Sequence, residues 1–151
     1  MLIVQNGQVE ALVVISFFQA AAEILEGGAR ILQFRHKAFL SRQAYGWLEA
    51  IAGLTREAGV PLVVNDRADL AKLFGAALHV GQDDLPPAAA RTVLGALPLG
   101  FSTHNEAQLR ASEDEPIDYV ALDPDRARLE LLVARLREGA GEGASIHAVK
   151  G

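Results

Sequence analysis

Four short polar clusters stand at the ends of apolar runs: "QFRHK" at 33–37, "NDR" at 65–67, "GQDD" at 81–84 and "STH" at 102–104. The first offers Gln33, Arg35 and Lys37 at two-residue spacing, so on a strand their side chains line one side. Two cations and an amide suit a multiply charged anion, with the guanidinium as a bidentate fork and the ammonium as a point charge. Salt bridging at a strand end is the competing reading. Asp66, Asp83 and Asp84 supply acceptors without donors. Facing Arg35 and Lys37 they either neutralise those cations or, with a metal between them, form a different kind of site. Magnesium takes one or two carboxylates and completes its octahedron with water and phosphate oxygens. A pyrophosphate site built from metal, Lys and Arg therefore fits these residue types better than zinc or calcium. On a strand-like backbone Asp83 and Asp84 point apart, which makes one a ligand and the other a cap for a helix opening at Pro86-Pro87. Both acting only as charges favoured by the helix dipole is the alternative. Ser102, Thr103 and His104 add hydroxyl and imidazole donors. His79, inside an apolar run, reads as a satisfied core histidine, and His147 carries no usable signal.

The elements that must position these clusters alternate in type. Aliphatic runs at 2–5, 30–35, 61–65, 77–81, 97–101, 118–122 and 145–149 read as strands, and helical periodicity occupies 17–26, 42–58, 67–74, 87–94, 105–112 and 124–138. That alternation is the pattern of parallel βα units. Residues 2–16 fit either a hairpin at Asn6-Gly7 or a strand followed by a helix, and the second is preferred. Gly27-Gly28, Gly59, Gly75 and Gly95 stand where helices should stop, Ser41 and Asp123 where they should start. On 42–58, Tyr45, Leu48, Ile51, Ala52 and Leu54 share one stripe, so that helix packs on the sheet. Trp47 reads as packing or surface. In a parallel α/β fold the C-terminal ends of the strands share one face, so the four clusters converge on one mouth.

Bulk properties narrow the function. The chain has 151 residues, enough for one domain spanning 1–151, and is half hydrophobic without an apolar run of the roughly 18 residues a membrane span needs. The N-terminal stretch lacks a basic leader, so the expectation is a soluble, cytoplasmic protein. No cysteine is present, which removes disulfides, thiol catalysis and thiolate metal sites. A net charge of −5 with 6% aromatics argues against a nucleic-acid surface. Phosphate loops of the glycine-rich type are absent, and "GEG" at 141–143 reads as a linker.

Taken together, "GGARILQFRHK", "VPLVVNDRADLA", "HVGQDDLP" and "GFSTHNEAQL", followed by "DYVAL", resemble the thiamine phosphate synthase family in order and spacing over about residues 20 to 122. The resemblance implies a TIM (β/α)8-type barrel, of which about seven βα steps are present and no eighth strand is recognisable. It implies a transferase that joins hydroxymethylpyrimidine pyrophosphate to thiazole phosphate and releases pyrophosphate. Carried over by motif, Gln33, Arg35 and Lys37 hold the pyrimidine substrate and its pyrophosphate, with Arg35, Lys37 and Ser102 nearest the chemistry. Asn65, Ser102 and His104 contact substrate, and Asp66 and Asp84 bind Mg²⁺. Asp83 is left to the surrounding turn. The family mechanism is dissociative: pyrophosphate departs and the thiazole nitrogen captures the pyrimidine cation.

The chain departs from that pattern after Leu122, which runs straight into Asp123 where the family carries a phosphate-holding loop. Later turns that bind thiazole phosphate are not recognisable. Three readings stay open: a synthase whose remaining segments lie outside this sequence, a phosphate-ligand binding relic without catalysis, and the related thiazole tautomerase, in which His104 does acid/base work. An unclosed barrel edge would need cover, which makes a homo-oligomer a candidate assembly.

Overall fold

In the computed structural model the described residues are 2–6 and 12–122, with side-chain surroundings from residue 19 onward. The order is β1 (Leu2–Asn6), α1 (Leu12–Glu26), β2 (Leu32–His36), α2 (Arg42–Glu57), β3 (Leu62–Asn65), α3 (Ala68–Phe74), β4 (Ala77–Val80), α4 (Pro87–Leu94), β5 (Leu99–Thr103), α5 (Glu106–Ala111), a 3-10 turn at Ser112–Asp114 and β6 (Tyr119–Leu122). All adjacent strands pair in parallel, and each lies beside its successor from β1 to β6. A sheet that steps one place in the same direction at every βα unit is the walk of a (β/α)8 barrel; a doubly wound sheet reverses. The barrel-type expectation holds for these six strands. The expected helix at 124–138 and strand at 145–149 lie outside the described residues. No helix among the described residues is long and apolar enough to cross a membrane.

The first strand is followed by a helix, as expected, but α1 begins at Leu12, five residues before its periodicity becomes legible. Val13, Val14 and Ile15 lower helix propensity by only tenths of a kcal/mol each, roughly, and tertiary context overrides that. The fifth strand is displaced from 97–101 to Leu99–Thr103. Pro98 has no N–H to give, yet its carbonyl accepts the Leu78 N–H at 2.8 Å, so pairing opens there and carries the strand through Ser102. Ser41 caps α2 as expected, its Oγ accepting the Ala44 N–H at 3.1 Å. Gly75 ends α3 in the left-handed conformation at φ 64°.

Residue parity sorts the sheet into two faces. Leu32, Phe34, Leu62, Val64, Leu78, Val80 and Leu99 are buried in one cluster with Leu48 and Ile51 of α2, Leu70 and Ala71 of α3, and Ala90 and Leu94 of α4. Tyr45 and Leu54 pack against the cluster's margin and Trp47 lies within it. The alternate residues, among them Gln33, Asn65, His79, Gly100, Ser102 and Tyr119, therefore turn away from the helices.

The end opposite the mouth is held by Arg91. Its guanidinium donates to the carbonyls of Gly95, Leu97 and Pro116 at 2.8–3.0 Å and to Asp118 Oδ2 at 2.7 Å. The same Asp118 oxygen accepts the Leu99 N–H at 2.7 Å. One side chain thus ties the end of α4 to the entries of β5 and β6. Burial pushes the Asp118 carboxyl up, but Arg91 and the Leu99 N–H outweigh it and hold it below the usual range. Arg91→Ala is expected to cost about 2–3 kcal/mol in chemical denaturation, since several carbonyls lose a charged donor. The Asp118 contribution is present above the ordinary carboxylate pKa of about 4 and fades as pH falls through the lowered folded value. The deficit of Asp118→Asn should therefore shrink in acid.

Candidate active site

The mouth-facing row begins on β2. Gln33 is buried at 2% exposure, and its Nε2 donates to Asn65 Oδ1 at 3.0 Å, joining β2 to β3. Buried amides need such partners, and each keeps one group free to meet a ligand. Arg35 stands two residues further on, half-buried. Among the described residues no carboxylate lies within ion-pair distance of it. Lys37 follows the strand and is exposed.

Lys37 divides the cations into two kinds. Its Nζ forms an ion pair with Asp66 Oδ2 and lies 3.8 Å from Asp84 Oδ1. The salt-bridge reading thus applies to Lys37 and leaves Arg35 available. Asp66 sits at φ 65°, the one left-handed residue other than glycine among those described. Aspartate tolerates that conformation better than most side chains. The turn is fixed by backbone bonds, the Asp66 N–H to His79 O and the Arg67 N–H to Asn65 O, both 2.8 Å. It aims the Asp66 carboxylate back across the strand ends toward Asp84.

Two carboxylates this close cannot both ionise freely. Burial first and the Asp84 carboxyl second push Asp66 above the usual carboxylate range, against the pull of Lys37. Asp84 is also pushed up by burial, but contact with Asp66, the Gly81 N–H and the charges of Lys37 and Arg35 bring it below. Asp66 Oδ1 is buried and has no hydrogen-bond partner among the described residues. An orphaned carboxylate oxygen beside a second carboxylate is an all-oxygen donor set suited to a hard divalent cation. Among the described residues no group of three or more His, Cys, Asp or Glu gathers as a metal cluster. A cation here would take two protein carboxylates and fill its remaining positions from water or ligand.

The expected division between Asp83 and Asp84 needs correction. Asp83 is exposed, and α4 is entered through Pro86 and Pro87 with no side-chain cap. Proline at the first helical position removes one of the N–H groups a cap would serve. The turn bond belongs to Asp84, whose Oδ2 accepts the Gly81 N–H at 2.8 Å. Asp84 therefore anchors its own loop with one oxygen and faces Lys37 with the other.

Ser102 comes to the site from β5, held by a residue read in the sequence as core. His79 is buried, with Nε2 at 2.7 Å from Ser102 Oγ and Nδ1 at 3.2 Å from Tyr119 Oη. It is satisfied, as expected, but by the site. Burial, aided by the charge of Arg35 and opposed by Asp84, lowers its pKa to about 4. Burial likewise raises Tyr119 to about 12. Tyr119 was missed altogether; the available signal was its shared parity with Ala121 on β6, opposite Gly100 and Ser102. Gln82 Nε2 donates to the Ser102 carbonyl at 2.6 Å. His104 is exposed on the following loop, where its N–H donates to Gln108 Oε1 at 2.8 Å. The structure thus brings together Gln33 with Asn65, Lys37 with Asp66 and Asp84, and Ser102 with His79.

A family model described as thiamine monophosphate synthase matches residues 1–125. The thiamine-phosphate synthase of Pelotomaculum thermopropionicum is 41% identical over 111 residues, covering 72% of this chain and 51% of that protein. The thiamine-phosphate synthase of Chloroflexus aurantiacus is 42% identical over 99 residues, covering 65% and 46%. A solved thiamine phosphate pyrophosphorylase from Pyrococcus furiosus superposes with a TM-score of 0.78 at 25% identity, covering 99% of this chain and 73% of the other. The chain spans about half the length of the curated relatives it matches.

Because Asp66 holds its proton more tightly in the folded state, ionising it removes stability as pH rises from the ordinary carboxylate value through the raised one. Asp66→Asn keeps a side chain that tolerates the left-handed backbone. It is expected to raise the denaturant midpoint near neutral pH and to leave it unchanged near pH 3. A lower midpoint at neutral pH would mean that Lys37 outweighs burial and Asp84 together.

Proposed function

The chain belongs to the thiamine monophosphate synthase family, and we propose that the protein is a thiamine phosphate synthase, coupling hydroxymethylpyrimidine pyrophosphate with thiazole phosphate and releasing pyrophosphate. The observation that carries the proposal is Arg35: a half-buried guanidinium at the mouth without a carboxylate partner among the described residues, set near a carboxylate pair that Lys37 occupies. A purely structural salt-bridge network would be expected to pair the more enclosed cation, since leaving a desolvated charge unpaired is the costlier outcome.

In this reading Asp66 and Asp84 would hold Mg²⁺, which would supply positive charge beside the leaving pyrophosphate. Arg35 forks onto pyrophosphate oxygens, and its attraction grows as the C–O bond to the pyrimidine methylene breaks and negative charge collects on the leaving group. Lys37, mobile on its four-carbon stem, adds a point charge. Gln33 and Asn65 orient the pyrimidine through the amide groups that their mutual bond leaves free. Ser102 contacts the same substrate from β5. The thiazole nitrogen then supplies its lone pair to the pyrimidine methylene carbon, so no protein base is required to create the nucleophile. Both substrates carry phosphate and do not cross a bilayer unaided, which supports a cytoplasmic setting for the reaction.

The test is pyrophosphate release with both substrates and Mg²⁺. Arg35→Ala is expected to lower kcat/KM by about 10²–10³-fold. Asp84→Ala should abolish metal-dependent release. Two outcomes would overturn the proposal. Metal-independent isomerisation of a thiazole phosphate, lost in His104→Ala, would make the protein a tautomerase. Saturable binding of the pyrimidine pyrophosphate without turnover would make it a ligand-binding relic.

A further inference from the structure

His79, Gly100 and Tyr119 are register partners on β4, β5 and β6, so they occupy one row of the sheet. The middle position is bare. A Cβ on Gly100 would lie 2.0 Å from Tyr119 Cζ and 2.4 Å from its hydroxyl oxygen, a separation that no packed pair of atoms tolerates. Without that carbon the Tyr119 ring lies across β5 and reaches the strand beyond. There it stacks on His79 with centroids 5.7 Å apart and planes 28° from parallel. The contact continues from Tyr119 Oη through both imidazole nitrogens to Ser102 Oγ.

Counting protons gives this chain a direction. A neutral imidazole has one N–H, and a phenol has one O–H. Among the described residues, His79 Nδ1 is the acceptor within hydrogen-bond distance of the Tyr119 hydroxyl. If Nδ1 carried the hydrogen, it would donate to Oη and leave the phenolic proton of a largely buried group without that acceptor. Donation from Tyr119 to Nδ1 gives the phenolic proton its acceptor. Nε2 then carries the imidazole hydrogen and donates to Ser102 Oγ, which occupies a serine lone pair and leaves the serine proton free. The opposite tautomer would draw that proton toward His79 and present only lone pairs to the mouth.

We propose that Tyr119 and His79 are positioning residues that hold Ser102 as a hydrogen-bond donor toward an acceptor atom of the pyrimidine pyrophosphate, and that Gly100 is the vacancy that lets them meet. The inference rests on the proposed activity for the identity of the ligand, but the relay itself is readable without turnover. Nitrogen-15 NMR of His79 in the substrate-free protein should report hydrogen on Nε2 and a bare Nδ1. Tyr119→Phe keeps the ring over Gly100 and removes the proton, so it should give a tautomer mixture and lower kcat/KM for the pyrimidine substrate about tenfold. Ser102→Ala made in the Tyr119→Phe background should add less than it does alone, because both act through one hydroxyl. Hydrogen on Nδ1 in the unmodified protein would overturn the relay, as would a Tyr119→Phe variant that keeps the Nε2–H form and unmodified kinetics. Should no pyrophosphate be released by the unmodified protein, the activity falls while the tautomer measurement still decides the relay.

Discussion

Parallel pairing in register is the constraint on which the remaining features depend. From Leu32 opposite Leu62 to Phe101 opposite Val120, residues of equal parity are aligned across the sheet. Helices cover one face, so that parity is apolar up to the strand ends: it carries leucine, valine and phenylalanine. The other parity receives whatever polar chemistry the chain contains. A slip of one residue on β2 would drive Arg35 toward the helices and Phe34 into the mouth. Side-chain placement at the site is therefore a consequence of the same burial that stabilises the fold.

Polar groups on a partly enclosed face must satisfy one another, and they do so in small closed sets. Gln33 is paired with Asn65, and His79 with Ser102 and Tyr119. What these sets leave over is informative. Asp66 keeps a buried oxygen without a hydrogen bond among the described residues and a backbone at φ 65°, a conformation that costs on the order of 1 kcal/mol for a residue with a Cβ. Such residual strain collects where a ligand supplies the missing partner.

Convergence of the four polar clusters was legible in the sequence because βα alternation obliges strand ends to share a face. The α2 stripe and its Ser41 cap were legible because helical period and capping chemistry are local. Three features were not. The division of labour between Asp83 and Asp84 depends on the turn dihedrals after β4, not on strand parity. The boundary of β5 depends on which carbonyl meets Leu78 N–H, and that is a property of the neighbouring strand. The contact of His79 with Tyr119 spans a strand and exists only because position 100 has no side chain. Periodicity reports which way a residue faces; it does not report what a missing Cβ lets two others touch.

Lys37 and Arg35 illustrate how burial turns similar charges to different uses. Lys37 is about half exposed, at 52% of its side chain, so its ion pair with Asp66 is screened and contributes roughly 0–1 kcal/mol. A partner held that weakly is displaced at little cost when a stronger cation or a phosphate arrives. Arg35 is more enclosed, and desolvation has already been incurred in folding. An anion that reaches it gains a fork of donors with no carboxylate among the described residues to displace. On the proposed reading, a replaceable ammonium offsets the charge of the two carboxylates, while the guanidinium stays open for pyrophosphate. Only the exposed ammonium is drawn into a salt bridge with the carboxylates; among the described residues the guanidinium beside it is not.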